Sequence, residues 1–277
     1  MSILTEPKID SHCHILDPVR FPYLDSVPYK PAGQETGNTQ YFEEVMRCYE
    51  VKHALLVGPN SGYTTDNRCM LDAIASAPQK FKGIAVVPND CSLEQLEVLK
   101  DQGVIGIAFN LALMGFDFYA DIEPLLRRLK QLDLWAQFQV EKELLLDILP
   151  MLSTVGVKTM IDHCGRPNVD AGTGQHAFQA LLALGRQGQA VVKISGFAKF
   201  SHSAFPFTDV RPYTELLARH FGVHHCVWAS DWPYLKASYR LDYGPMLKIY
   251  EADFSPSERR AMLWDAPKKH FEFQDVP

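Results

Sequence analysis

A chain of 277 residues that is 47% hydrophobic can bury a sizeable core, and a net charge of −6 with no Lys/Arg cluster excludes a reader of nucleic-acid backbones. No run of about 18 apolar residues occurs, so no membrane partner is expected. The opening MSILTEPKIDSH lacks the basic and then apolar segments of a signal peptide. Six scattered cysteines without a CxxC pair argue against zinc ribbons, redox motifs and disulfide stapling, so a cytoplasmic protein with reduced thiols is expected.

In chain order, short apolar runs rich in Val, Ile and aromatics alternate with amphipathic stretches. The runs are KIDSHCHI (8–15), HALLVGP (53–59), KGIAVVP (82–88), VIGIAFNL (104–111), LWAQFQV (134–140), VKTMIDH (157–163), AVVKISG (190–196) and CVWASDW (226–232). Their length and composition predict buried parallel strands. Helical patterns fall between them, at 39–51, 65–78, 92–103 and 122–133 among others. Ser92 and Gln95 have capping-box spacing, Asp121 precedes the first-turn residues Glu123 and Pro124, and Gly103 fits a helix end. Eight strands alternating with helices predict an α/β fold, a (β/α)8 TIM barrel occupying 1–277 as one domain. An open doubly wound sheet is the alternative, disfavoured because no Gly-rich phosphate loop follows the first strand. Two long connections, 16–38 and 197–212, follow predicted strands 1 and 7. In a barrel they lie on the C-terminal face, where active sites form.

His12 and His14 stand two apart on the first strand, so a period of two points both imidazoles one way. Two imidazoles at a barrel mouth can share one metal ion or one polarised carbonyl. Asp231 ends the eighth strand, where a carboxylate is costly unless paired or used; a helix N-cap is the plainer role for it. His163 ends the sixth strand, with Asp162 on the alternate face as a structural partner and Arg166 in a structural role. Asn110 and Gln139 end strands 4 and 5, and Gln137 shares a face with Gln139; these amides suit a polar substrate. The segment after strand 2 supplies Asn60, Ser61, Tyr63 and Thr65, with Asp66 expected to cap the following helix. Lys199 and His202, in the loop after strand 7, are the best-placed cations for an anionic substrate. Cys13 and Cys164 sit inside the motifs, whereas the other cysteines read as small buried hydrophobes.

The HxH of strand 1, the DHxGRP of strand 6 (162–167) and the SDWP of strand 8 (230–233), in this order, resemble the amidohydrolase superfamily, and within it the lactonase branch. DPxRFPY (17–23), TDNR (65–68) and VKISG (192–196) fit that branch too. The resemblance runs from Asp10 to about Phe273 and implies lactone hydrolysis in aromatic catabolism. It assigns Asp231 as general base on water and His12, His14 and His163 as groups that polarise the carbonyl. It also implies that Ala108 stands where the branch's dicarboxylate-binding members carry an arginine, and Lys199 where they carry another, which leaves a sulfonated or singly charged lactone open. Asn110 and Gln139 replace the ligands of binuclear members, so the expected cofactor is none, or a single Zn or Mn ion on His12, His14 and Asp231, with no organic cofactor. Three other functions stay open: a zinc-dependent decarboxylase of aromatic or muconate-type acids, a sugar-lactone hydrolase, and a non-catalytic binding barrel.

Overall fold

Strand β1 (Lys8–Cys13) is buried along its whole length. The computed structural model in which it is seen describes residues 2–27 and 29–274. Met1, Pro28 of the predicted 16–38 loop, and the end of the predicted domain, 275–277, lie outside the described residues. The remaining strands are β2 (Val51–Val57), β3 (Phe81–Ala85), β4 (Val104–Asn110), β5 (Trp135–Gln139), β6 (Thr159–Ile161), β7 (Ala190–Ile194) and β8 (Cys226–Trp228). They form one eight-stranded sheet in the order β1 to β8. The pairs β1–β2, β2–β3, β4–β5, β5–β6 and β6–β7 are parallel, and helices alternate with the strands. This is the α/β, (β/α)8 TIM-barrel class that the alternation predicts, and the open doubly wound order is not adopted.

By internal contact the chain falls into two compact units. One comprises the residues up to Val87, Leu99–Ile105 and Trp228 onward; the other comprises Pro88–Val98 and Gly106–Val227.

In the first unit, β1 pairs with β2 through Asp10↔Ala54 and Cys13↔Leu56, so three steps along β1 match two along β2. One extra residue is therefore accommodated, as in a β-bulge, and the alternation of side chains is reset between Asp10 and the histidines. The chain beyond β8 returns to β1: Cys13 and Trp232 form a parallel bridge, His14 N–H donates to the Trp232 carbonyl at 2.8 Å, and Asp231 N–H donates to the His12 carbonyl at 2.8 Å. Ile9, Leu55, Leu56, Phe42, Phe81 and Ile84 form the core beneath, each contributing roughly 1.5–3 kcal/mol by burial. Trp232 stacks on Phe42 at 4.8 Å and lies so close over Gly37 that a Cβ there would sit 2.0 Å from the ring.

In the second unit, β5 pairs with β4 and β6, and β6 with β7. Phe109 and Phe138 stack at 5.0 Å in a core that also holds Met160, Ile161, Val192 and Leu217.

The predicted helices appear at Thr39–Cys48, Arg68–Ser76, Leu93–Asp101 and Glu123–Gln131. The capping box is present: Ser92 N–H donates to the Gln95 side chain at 2.9 Å, and Gln95 N–H to Ser92 Oγ at 3.3 Å. Asp66 accepts the N–H of Arg68, the first helical residue, at 3.1 Å and pairs with its guanidinium. Among the described residues no helix is long and apolar enough to cross a membrane.

Candidate active site

In the first unit, β1 and the segment after β8 bring together three of the sequence-predicted residues. His12, His14 and Asp231 are all buried, at 2%, 8% and 6% exposure. The two imidazoles meet edge to face with centroids 5.0 Å apart, so the period-of-two expectation for them is met. Their Nε2 atoms lie 3.8 Å (His12) and 3.7 Å (His14) from the same Asp231 oxygen, Oδ1. Those separations exceed a hydrogen bond, so the groups converge with a gap between them. His14 Nδ1 lies 2.8 Å from the Val57 carbonyl, an acceptor only, so Nδ1 carries the proton. That bond fixes the ring's orientation and leaves Nε2 as the nitrogen that faces Asp231.

The three donor atoms lie within 4.8 Å of one another. A tetrahedral Zn ion with ligand distances of about 2.0–2.1 Å needs ligand atoms about 3.3 Å apart, and the observed spacing approaches that. Two imidazoles, one of them held through its other nitrogen by a backbone carbonyl, and one carboxylate make a donor set that fits one divalent metal.

Asp231 does not cap a helix. Its φ is +61°, in the left-handed region that ordinary residues avoid at a cost of roughly 1–2 kcal/mol. The predicted strand 226–232 ends at Trp228, three residues before this turn. The turn is held by a residue that the sequence did not single out as a partner. Asp10, fully buried, accepts the Ser230 N–H at 2.9 Å and the His12 N–H at 3.2 Å on Oδ1, and the Tyr243 hydroxyl at 2.7 Å on Oδ2. Burial pushes the Asp10 carboxyl above the usual carboxylate range, although its hydrogen-bond donors pull the other way. Burial, and then the neighbouring Asp10 charge, keep the Tyr243 phenol well above its ordinary pKa, so it remains a donor.

In the second unit, His163 is buried at 1% exposure at the end of β6. Its Nδ1 shares a 3.0 Å hydrogen bond with Ser195 Oγ. Residues 163–166 all take positive φ: His163 +50°, Cys164 +57°, Gly165 +73° and Arg166 +43°. Gly196 fits beneath the imidazole, where a Cβ would fall 2.5 Å from His163 Cγ. Asp162 accepts from the Gln137 amide at 2.9 Å and pairs with Lys193 at 3.1 Å, and Lys193 also donates to Gln137 Oε1 at 2.5 Å. The structural role expected for Asp162 is met by these bonds, but not its placement on the alternate face, because its carboxylate lies within 4.8 Å of a His163 nitrogen; Gln137 serves this buried network. Lys193 passed unnoticed in the sequence, although a lysine inside the apolar run 190–196 was its signal. Arg166 pairs with Glu141 at 2.9 Å. Burial pushes the Cys164 thiol up to about 12, and Cys13 is fully buried, which leaves both as packing groups.

The remaining predicted residues are placed as follows. Asn110 caps the short helix Leu111–Met114, its Oδ1 accepting from Leu113 at 3.0 Å. Gln139 is half-buried at the end of β5. Lys199 is half-buried on a 3-10 turn after β7, and His202 is exposed and paired with Asp170 at 3.1 Å. Asn60 and Ser61 are half-buried after β2, whereas Tyr63 is buried and donates its hydroxyl to the Phe21 carbonyl at 3.0 Å.

The amidohydrolase family profile matches residues 9–273, so the chain belongs to the amidohydrolase family and is a hydrolase of that superfamily. It is 26% identical over 272 residues to a 4-sulfomuconolactone hydrolase of Rhizobium radiobacter, covering 95% of this chain and 89% of the relative. It is 25% identical to a 2-pyrone-4,6-dicarboxylate hydrolase of Comamonas testosteroni, covering 97% of this chain and 91% of that one. Among solved structures, a probable 2-pyrone-4,6-dicarboxylic acid hydrolase of Acinetobacter baumannii with citric acid bound superimposes with a TM-score of 0.84. That likeness covers 97% of this chain and all of the other, at 25% identity.

Proposed function

We propose that the protein hydrolyses a carboxylated or sulfonated lactone, with Asp231 as the general base. The observation that carries this reading is the convergence of two imidazole Nε2 atoms on one buried carboxylate oxygen at 3.7–3.8 Å. The names of the relatives supply the substrate class.

Asp231 takes a proton from water as the water oxygen bonds to the lactone carbonyl carbon. His12 and His14 stabilise the negative charge that develops on the carbonyl oxygen when Nε2 carries a proton to donate, an effect worth about 3–4 kcal/mol per well-placed donor. The ring C–O bond then breaks, and the proton held by Asp231 passes to the leaving oxygen. His163 is assigned by its motif as a third polarising group. When bound to His12, His14 and Asp231, a single Zn or Mn ion would supply Lewis acidity and acidify water. Lys199 and His202 are the proposed cations for the substrate's anionic group, and Asn60, Ser61, Tyr63, Asn110 and Gln139 its proposed polar neighbours. Ala108 in place of an arginine weighs against a dicarboxylate substrate.

The test is turnover of 4-sulfomuconolactone, 2-pyrone-4,6-dicarboxylate and an aldonolactone, with and without chelator, following acid release and CO2 separately. Ring opening without CO2 is expected, and CO2 release would make the protein a decarboxylase instead. Asp231→Asn is expected to lose several orders of magnitude in kcat while the circular dichroism spectrum stays unchanged. Near-normal turnover in that variant would remove Asp231 as the base.

A further inference from the structure

The left-handed backbone of Asp231 needs something to hold it, because a non-glycine residue relaxes out of that region unless its surroundings over-determine it. Several hydrogen bonds surround the turn, among them His14 N–H to the Trp232 carbonyl at 2.8 Å and Ser230 Oγ to the His12 carbonyl at 3.4 Å. Asp231 N–H reaches the His12 carbonyl at 2.8 Å, and Tyr234 N–H reaches the Asp231 carbonyl at 2.9 Å. Trp232 N–H reaches Ser230 Oγ at 2.9 Å, and Ser230 N–H reaches Asp10 Oδ1 at 2.9 Å. The last is the one bond among these that ends on a side chain of β1. The same Asp10 oxygen takes the N–H of His12, so one atom fixes both the residue before the base and the backbone of the first histidine. The other Asp10 oxygen is occupied by Tyr243 at the start of the helix Tyr243–Asp253, which sets the carboxylate's rotation.

We propose that Asp10 is a positioning residue for the reaction: it holds the Ser230–Asp231 turn against β1 in the conformation that aims the Asp231 carboxylate at His12 and His14, and Tyr243 orients Asp10 for that task. The inference rests on Asp231 being the base. Asp10 itself does not exchange a proton with substrate; its part is to accept two backbone N–H groups and one hydroxyl.

This assignment distinguishes two substitutions. In Asp10→Asn the amide oxygen still accepts both N–H groups, and the amide NH2 can donate to the Tyr243 oxygen, so the tether survives without its charge. In Asp10→Ala the tether is gone and two buried N–H groups lose their acceptor. Crystal structures of both variants are expected to show Asp231 still left-handed and near His14 in D10N, and relaxed away in D10A. On whichever lactone the wild type opens, kcat is expected to fall about 10–100-fold in D10A with KM little changed, and D10N to recover most of the loss. Should D10A fail to fold, Tyr243→Phe reads the same tether. It keeps the stacking of Tyr243 on Tyr49 at 5.0 Å, and it should let Asp10 rotate and lower kcat about 3–10-fold.

An unmoved Asp231 in D10A, or in Y243F where D10A is lost, overturns the proposal. So does a D10N as impaired as D10A, because charge rather than tethering would then matter. Failure of the wild type on every lactone would defeat the substrate assignment alone, since the crystallographic comparison would still decide what holds Asp231.

Discussion

Asp10 and His12 are two positions apart on one strand, yet one bonds Tyr243 and the other faces Asp231. At the scale of the residue, the catalytic candidates were legible because imidazoles and a carboxylate stand out in apolar strands, where they are costly without a purpose. Asp10 and Lys193 carried the same signal, a charge in a buried run. Their roles were not legible because their partners come from afar: Tyr243 lies 233 positions from Asp10, and Gln137 lies 56 from Lys193. Gly196 is a position of the same kind, ordinary in sequence and decisive in space. It has φ +66° and no room for a Cβ under His163. Gly196→Ala therefore meets both a conformational penalty of roughly 1 kcal/mol and a clash with a catalytic candidate. It is expected to lower the melting temperature and to cut kcat at least tenfold; unchanged kcat would show that the ring of His163 has freedom to move or no part in turnover.

At the scale of the element, strand positions were legible and strand ends were not. Runs 157–163 and 226–232 look continuous, but the strands stop at Ile161 and Trp228. There the chain turns left-handed to present His163 and Asp231, and hydropathy does not register that turn. The start of β1 has its own consequence. Lys8 is buried, with its ammonium donating to the carbonyls of Glu6 and Tyr49, and burial lowers its pKa from 10.5 to about 8. Below about pH 8 the ammonium is charged in both the folded and unfolded states, and folding bears the full cost of burying it. Between about pH 8 and 10.5 the folded state releases the proton first, so the unfolded state binds more protons and Lys8's contribution to stability rises with pH. Urea unfolding of wild type and Lys8→Met across that window should show wild type gaining on the variant by up to about 3 kcal/mol. A difference that stays flat with pH would contradict the burial of the charge.

At the scale of the whole molecule, the order β1 to β8 follows the chain, so the alternation of strands and helices was enough to read the fold class. The two units defined by internal contact were not foreseen, because contact density is a tertiary property with no local pattern. We propose that residues 1–277 nevertheless act as one domain, which calls for a single calorimetric transition with equal calorimetric and van't Hoff enthalpies; two resolved transitions would make the units separate folding blocks. The extra residue in β1 bears on anyone who would transplant this chemistry. Copying the two histidines onto another barrel carries over their spacing but not the reset of alternation that precedes them, nor the returning segment 229–234 that meets them. The portable unit is the irregular stretch Asp10–His14 together with Ala229–Tyr234 and an acceptor-matched hydroxyl like that of Tyr243. Deleting Ser11 alone would leave every candidate side chain in the sequence and Cys13 still paired with Leu56, yet it would take away the spacing through which Asp10 reaches the His12 N–H.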